Sequence, residues 1–353
     1  MVKLNQVKTY LKANDLDGII ITSPINRRYL TDFTGSAGIV LMTQTDQLLI
    51  TDFRYTEQAM EQAKHFTVVE HEASILQEVA QQLKRLNINT VAFEATHVSF
   101  EQYEQFTSLF KAQLIPVKNV IENIRLIKTE AELSIMKRAA EIADQAFEHI
   151  ISFIKPGVKE IDVANELEFF MRKQGATSSS FDIIVASGWR SALPHGVASE
   201  KTIENGELVT MDFGALYNGY CSDITRTVAV GEIDGQLKEI YDVVLNAQQL
   251  ALSHIKPGIT GKKADAFARD HIQSAGYGEN FGHSTGHGLG MEVHEEPRLS
   301  RISDTVLEQG MVVTVEPGIY IPNVGGCRIE DDIVITEKGN ERLTVSSKQL
   351  IHL

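Results

Sequence analysis

Ile154-Lys155-Pro156-Gly157-Val158 returns 101 residues later as Ile255-Lys256-Pro257-Gly258-Ile259. Each copy follows a long stretch with amphipathic helical spacing and precedes a second one. Those second stretches end at Gly175 and Gly276, again 101 apart. A Lys-Pro-Gly match alone could be chance, but order, spacing and flanking helices agree. Strand-like segments with a histidine-bearing Gly/Pro turn come next in both copies, Leu193-Pro194-His195-Gly196 and Gly286-His287-Gly288. The pattern predicts two related helix–helix–sheet halves facing each other, with a site between them.

Upstream of the first copy, Thr129 reads as a helix N-cap. Glu132 stands three residues on, as in a capping box, and Leu133, Met136, Ala140, Ala143 and Phe147 form an apolar stripe. This start signal puts a domain boundary near Asn123–Lys128. The residues before it alternate strands and helices. Gly18–Thr22, Gly38–Met42, Gln47–Thr51 and Thr90–Glu94 read as buried strands, and Ser74–Leu86 has helical spacing. We therefore expect an α+β protein with a small α/β domain over 1–124 and a duplicated domain over 125–353.

Composition narrows the class. With 353 residues, two domains are the prior. The net charge of −14 is uneven: residues 1–125 hold 12 Lys+Arg against 14 Asp+Glu, and the remainder holds 21 against 33. A net-acidic chain argues against nucleic acid as a partner, because phosphate contacts require a basic surface. Met1-Val2-Lys3-Leu4-Asn5-Gln6 lacks the charged-then-apolar pattern of a secretory leader, and no apolar run approaches a membrane span. Two cysteines, Cys221 and Cys327, make no disulfide framework and fit a reducing cytoplasm as packing residues.

Within the acidic half, Asp212, Asp223, Glu316 and Glu330 each sit in or beside a short apolar, strand-like run, and His287 lies in a glycine-rich turn. Four buried carboxylates close together require protonation or neutralising cations, and two divalent ions would supply four positive charges. Such an oxygen-dominated pair activates water for hydrolysis. Leu208–Tyr217 and Tyr220–Val230 read as strands joined by Asn218-Gly219, a type I′ turn signal. Pairing Tyr217 with Tyr220 places Asp212 opposite Thr225 and Asp223 opposite Gly214. The two aspartates then share a face as diagonal neighbours, with Met211, Phe213, Ile224 and Val228 on the other. A solvated hairpin would show the same alternation; Glu316, before Pro317-Gly318, and Glu330 tip the balance.

His283 and His287 are four apart, but Gly282, Gly286, Gly288 and Gly290 argue against the helical zinc-protease arrangement. A loop whose backbone closely approaches a ligand fits better. Arg298 reads, from base rates alone, as a surface ion-pair partner.

From about Ile124 onward the chain resembles the pita-bread metallopeptidases, which include methionine aminopeptidase, aminopeptidase P and prolidase. The resemblance rests on Met211-Asp212-Phe213-Gly214, Ser222-Asp223-Ile224-Thr225-Arg226, Gly286-His287-Gly288-Leu289-Gly290, Val293-His294-Glu295, Val315-Glu316-Pro317-Gly318 and Arg328-Ile329-Glu330-Asp331. Ser191–His195 and His294–Arg298 point to the proline-specific branch. Asn26–Leu30 and Asp52–Tyr55 resemble its creatinase-type N-terminal domain more loosely. Cys327, where an aliphatic residue is usual, is a departure that leaves every ligand position intact.

The resemblance implies a pita-bread catalytic domain with a pseudo-two-fold repeat. It implies Asp212 and Asp223 as ligands of one metal and His287 and Glu316 of the other, with Asp223 and Glu330 bridging. His195 and His294 would bond the scissile carbonyl and the developing oxyanion, Arg298 would bind a substrate carboxylate, and Glu316 would shuttle a proton. Mostly oxygen ligands with one imidazole favour Mn²⁺, with Co²⁺ as a substitute. The implied activity is that of an Xaa-Pro dipeptidase (prolidase) on dipeptides, with an Xaa-Pro aminopeptidase on longer peptides as the alternative. The short N-terminal domain favours the dipeptidase. A non-catalytic peptide-binding module would have lost ligands, and all five positions persist. The resemblance also suggests a homodimer.

Overall fold

Gly157 and Gly258 share a left-handed backbone (φ 93° and 88°), as do Gly175 and Gly276 (106° and 91°), in the computed structural model, which describes residues 2–353. The start of the N-terminal reading, Met1, lies outside them. The duplication extends to hydrogen bonds. Gly157 N donates to Ile203 O at 2.9 Å and Gly258 N to Leu307 O at 2.8 Å, and Ile203 and Leu307 return the bond to Val158 O and Ile259 O. By its contacts the chain divides into one unit ending at Arg125 and another beginning at Leu126.

In the first unit, α1 (Val2–Ala13), α2 (Pro24–Thr31), α3 (Thr56–Gln62), α4 (Ile75–Arg85), α5 (Phe100–Leu109) and α6 (Val120–Arg125) accompany one six-stranded sheet. Its strands are β1 (Gly18–Ile21), β2 (Ile39–Thr43), β3 (Gln47–Thr51), β4 (Thr67–Glu70), β5 (Thr90–Glu94) and β6 (Gln113–Val117). The order is β4-β3-β2-β1-β5-β6, antiparallel around β2 and parallel elsewhere. The apolar runs at 18–22, 38–42, 47–51 and 90–94 are central strands; β4 and β6 lie at the edges, carry half-buried residues, and escape an apolar-run criterion. The Asn26-Arg27 pair is structural here. Asn26 bonds Glu94 and Arg125, and Arg27 donates to Gly35 O and Gly38 O.

The second unit opens with α7 (Glu130–Ile150), whose Thr129–Glu132 capping box is formed in both directions. Leu133, Met136, Ala140, Ala143 and Phe147 are all buried along it. A large apolar side chain so buried contributes about 1.5–3 kcal/mol. There follow α8 (Glu160–Lys173), β7 (Ser178–Ser179), β8 (Ile184–Ser187), β9 (Glu207–Phe213), β10 (Ala215–Tyr217), β11 (Tyr220–Cys221) and β12 (Ile224–Val230). The second half repeats the helix pair as α9 (Gly235–His254) and α10 (Gly261–Ser274). It continues through β13 (Gly286–Gly288), β14 (Glu295–Leu299), β15 (Val312–Val315), β16 (Gly318–Ile321), β17 (Gly325–Arg328), β18 (Asp331–Ile335) and β19 (Asn340–Arg342).

The principal sheets are β12-β9-β8 and β14-β13-β15-β18-β19. They meet where Glu330 N donates to Thr225 O (3.1 Å) and Thr227 Oγ1 to Arg328 O (2.9 Å). This seam between the halves carries the acidic residues. Among the described residues no helix is long and apolar enough to cross a membrane.

Candidate metal centre

Asn218 and Gly219 both have positive φ (48° and 86°), Tyr217 pairs with Tyr220, and Asp212 pairs with Thr225, so the turn and register follow the sequence pattern. Met211, Phe213, Ile224 and Val228 lie buried in one apolar cluster on the opposite face. The ladder is not continuous, however. It breaks at Gly214 and at Ser222-Asp223, separating β9 from β10 and β11 from β12. A Cβ on Gly214 would stand 1.7 Å from Ser222 O, so the missing side chain admits a crossing carbonyl rather than leaving room beside Asp223. Asp223 N, released from the ladder, donates to Asp332 Oδ2 at 2.8 Å across the seam.

His287 occupies strand β13, not a ligand-approached loop. A Cβ on Gly286 would lie 1.9 Å from Thr314 O and one on Gly288 2.1 Å from Glu296 O. Those glycines let the neighbouring strands close in. His195 lies instead in the loop after β8, and its counterpart by position is His294, in the loop after β13. The shared Gly/Pro signal matched His195 with the wrong histidine, because a turn and a crowded strand both select glycine.

Asp212, Asp223, His287, Glu316, Glu330, His195, His294 and Arg298 all line a single cavity of about 610 Å³. Single ligand atoms of Asp223, His287 and Glu330 lie within 4.8 Å of one another. His287 Nε2 is 3.8 Å from Asp223 Oδ2 and 3.4 Å from Glu316 Oε1. Its Nδ1 lies 3.0 Å from Gly288 O, a backbone acceptor, so the proton belongs on Nδ1 and the Nε2 lone pair faces the carboxylates. Asp212 is arranged differently: Oδ2 takes a 2.5 Å bond from Arg328 Nη2. His195, His294 and Arg298 are exposed at the mouth. The His294 ring stands edge-on to His287 with centroids 4.5 Å apart. Arg298 lines the same cavity, and its backbone N–H donates to Glu296 Oε2 at 3.2 Å.

Protonation follows from burial. Burial, then the charges of Glu330 and Asp212, pushes Asp223 well above the usual carboxylate range. Glu330 is raised by burial and by Glu316 and Asp212. Burial lifts Glu316 to about 7 despite the opposing charge of Arg328. Burial also lowers His287 to about 3, which keeps the imidazole neutral.

The residues fit divalent metal on an observation independent of these shifts. Asp212 Oδ1, Asp223 Oδ1 and Glu330 Oε1 are buried and meet no hydrogen-bond donor. Three orphaned carboxyl oxygens around an imidazole lone pair form a ligand set that a divalent cation would satisfy, displacing the protons that burial otherwise holds there.

Three residues of this site escape sequence reasoning. Arg328 is buried within the Arg-Ile-Glu run and donates to Asp212, Tyr320 Oη (2.8 Å), Pro194 O (3.1 Å) and Thr225 Oγ1 (3.1 Å). Tyr320 Oη also lies 2.9 Å from His283 Nε2, a cavity residue set aside with the helical zinc pair. Thr225 Oγ1 donates to Glu330 Oε2 at 2.6 Å. An arginine inside an apolar run is the available signal for the first. Both cysteines are buried, and burial pushes the Cys327 thiol up to about 12, as suits a packing residue.

Sequence and fold are both shared with known proteins. The model of metallopeptidase family M24 matches residues 134–337, and that of the creatinase/prolidase N-terminal domain matches residues 3–127. A solved Xaa-Pro dipeptidase from Bacillus anthracis superposes with a TM-score of 0.99 at 58% identity, covering 100% of this chain and 99% of the other. An Xaa-Pro dipeptidase of Pyrococcus furiosus is 42% identical over 99% of each chain. An X-Pro aminopeptidase structure from Thermotoga maritima gives a TM-score of 0.92 at 41% identity, covering 96% and 98%.

Proposed function

The chain belongs to metallopeptidase family M24, behind a creatinase/prolidase N-terminal domain, and from that premise we propose an Xaa-Pro dipeptidase that hydrolyses the bond preceding proline. The observation that carries the reading is the set of partnerless oxygens on Asp212, Asp223 and Glu330 beside His287.

In this proposal Asp212 and Asp223 hold one divalent ion, His287 and Glu316 the other, and Asp223 and Glu330 are shared. Bound there, the ions would polarise the scissile carbonyl and lower the pKa of water towards neutrality. Mn²⁺ suits this mostly oxygen ligand set, and Co²⁺ would serve. His195 and His294 donate to the carbonyl oxygen as it gains charge, and Arg298 binds the carboxylate of the substrate. The Glu316 carboxylate takes a proton from the attacking water and passes it to the proline nitrogen as the C–N bond breaks. A cytoplasmic homodimer completes the proposal.

The test is hydrolysis of Gly-Pro by protein loaded with Mn²⁺, against the same protein stripped by chelator. Full activity in the stripped preparation rejects the metal mechanism. The likeness to the aminopeptidase structure keeps a second reading alive, cleavage of the first residue from longer Xaa-Pro peptides. Faster turnover of an Xaa-Pro-Xaa tripeptide than of Gly-Pro would favour it.

A further inference from the structure

Directly behind the acidic cluster lies a second set of buried charges that takes no part in the mechanism above. Asp331 is completely buried and faces three cations: Arg226 Nη2 at 2.7 Å, Lys348 Nζ at 2.6 Å and Arg342 Nη1 at 3.5 Å. Gln248 Nε2 adds a bond to Oδ2 at 2.9 Å. Arg226 is equally buried, and its guanidinium is fully used. Besides Asp331 it donates to Thr225 O (2.9 Å), Glu330 O, Ser346 O (2.9 Å) and Ser347 O (3.1 Å). Taking such ions out of water costs several kcal/mol each, and apolar replacements of similar volume are often as stable. Stability alone is therefore a poor explanation for this arrangement.

Its location supplies a better one. Asp223 comes from the first half and Glu330 from the second, so their separation is set by the joint between the halves. At that joint Thr225 O accepts from Glu330 N and from Arg226 Nη1, while Arg226 also grips Glu330 O. The guanidinium thus bridges the backbones two residues beyond Asp223 and at Glu330 itself. Asp331, the next residue, holds the guanidinium in that orientation from the second half. A bidentate, planar donor is needed to reach two carbonyls and a carboxylate together, which an ammonium cannot do.

We infer that Arg226 and Asp331 are a positioning pair that sets the spacing of Asp223 and Glu330, and hence the affinity of the site for its metal ions. The inference rests on the metallopeptidase reading but names residues that touch neither metal nor substrate. Partners of this kind change metal affinity by roughly 10–100-fold when altered.

The test is Mn²⁺ titration by calorimetry of the metal-stripped full chain, with a thermal melt of each stripped variant. Arg226→Lys keeps the charge facing Asp331 and loses the double carbonyl grip; Asp331→Asn keeps the shape and loses the charge. Both are expected to bind Mn²⁺ on the order of 10–100-fold more weakly, with KM for Gly-Pro at saturating Mn²⁺ within a factor of two of wild type. Lys348→Met removes a cation that bonds the Asp331 and Gln248 side chains but no backbone carbonyl at the joint, and is expected to keep wild-type affinity. Wild-type Mn²⁺ affinity in folded Arg226→Lys and Asp331→Asn overturns the inference, as does a loss in Lys348→Met equal to theirs. Failure of both pair variants to fold also overturns it and assigns the pair to stability. Absence of Mn²⁺ binding by the wild-type chain would instead reject the metallopeptidase reading.

Discussion

Arg328 Nη2 lies 2.5 Å from one oxygen of Asp212, while the other oxygen of that carboxylate meets no donor. Half of Asp212 is held and half is offered to the cavity. Removing the arginine leaves a buried anion beside Asp223 and Glu330, a loss of about 3–5 kcal/mol when a buried pair is broken. Arg328→Met should therefore destabilise the metal-free protein by roughly that amount, and saturating Mn²⁺ should recover much of it. Urea melts with and without Mn²⁺ measure the difference. An equal deficit under both conditions would show that Arg328 acts only through packing.

The metal-free protein should lose stability as pH rises from about 6.5 to 8. Burial raises Glu316 from the 4.5 of an ordinary glutamate to about 7, and Asp223 and Glu330 are raised as well. A carboxyl with a higher pKa folded than unfolded binds more protons in the folded state. Its contribution is complete below the unfolded value and disappears as pH climbs through the folded one. Three groups run the other way, all below this window: burial lowers His287 to about 3 and His283 to about 4, which costs stability only below their ordinary 6.5, and Arg226 and Lys348 outweigh burial at Asp331, whose contribution fades only at acid pH. Thermal melts of chelated protein at pH 6.5, 7, 7.5 and 8 should show a falling Tm, and Mn²⁺ should flatten the trend. A Tm that rises over that range without metal would contradict the protonation states assigned here.

The legible parts of this molecule are those whose cause is local. The Asn218-Gly219 turn needs two left-handed residues in succession, and the Thr129–Glu132 box needs two side chains three apart. Both are readable from short windows, and with the turn comes the pairing of Asp212 with Thr225. The break at Gly214 depends on the carbonyl of Ser222 and the hydroxyl of Ser180, contacts brought by other segments. Asp332 gains its role only because the seam carries Asp223 N to it across 109 positions of sequence. Arg328 is in plain view in its run, but its four acceptors come from four separate stretches.

Two glycines four residues apart should respond oppositely to alanine. At Gly286 a Cβ would meet the backbone oxygen of Thr314 at 1.9 Å, while at Gly282 nothing stands within 4 Å. Backbone cannot swing aside like a side-chain tip, so Gly286→Ala must push β13 away from β15 and move His287 with it. We expect a loss of about 1–3 kcal/mol and weakened Mn²⁺ binding for Gly286→Ala. Gly282→Ala should stay within about 0.5 kcal/mol of wild type. Melts and Mn²⁺ titrations of the two variants decide the matter, and equal behaviour would mean that strand crowding does not position the imidazole.

His294 and Asp223 should separate catalysis from metal holding. Asp223 is buried and contributes a partnerless oxygen, so Asp223→Ala should lose both Mn²⁺ and Gly-Pro hydrolysis. His294 is exposed at the mouth, and burial of part of its ring with the nearby charges of Arg298 and His195 lowers its pKa. It is thus neutral at pH 7 and still carries one N–H for a developing oxyanion. Loss of one such donor typically costs on the order of 10²–10³ in turnover. His294→Ala should therefore lower kcat by about that factor while metal analysis finds the wild-type Mn²⁺ content. Parallel loss of Mn²⁺ in both variants would make His294 a ligand and require a different assignment of the oxyanion donors.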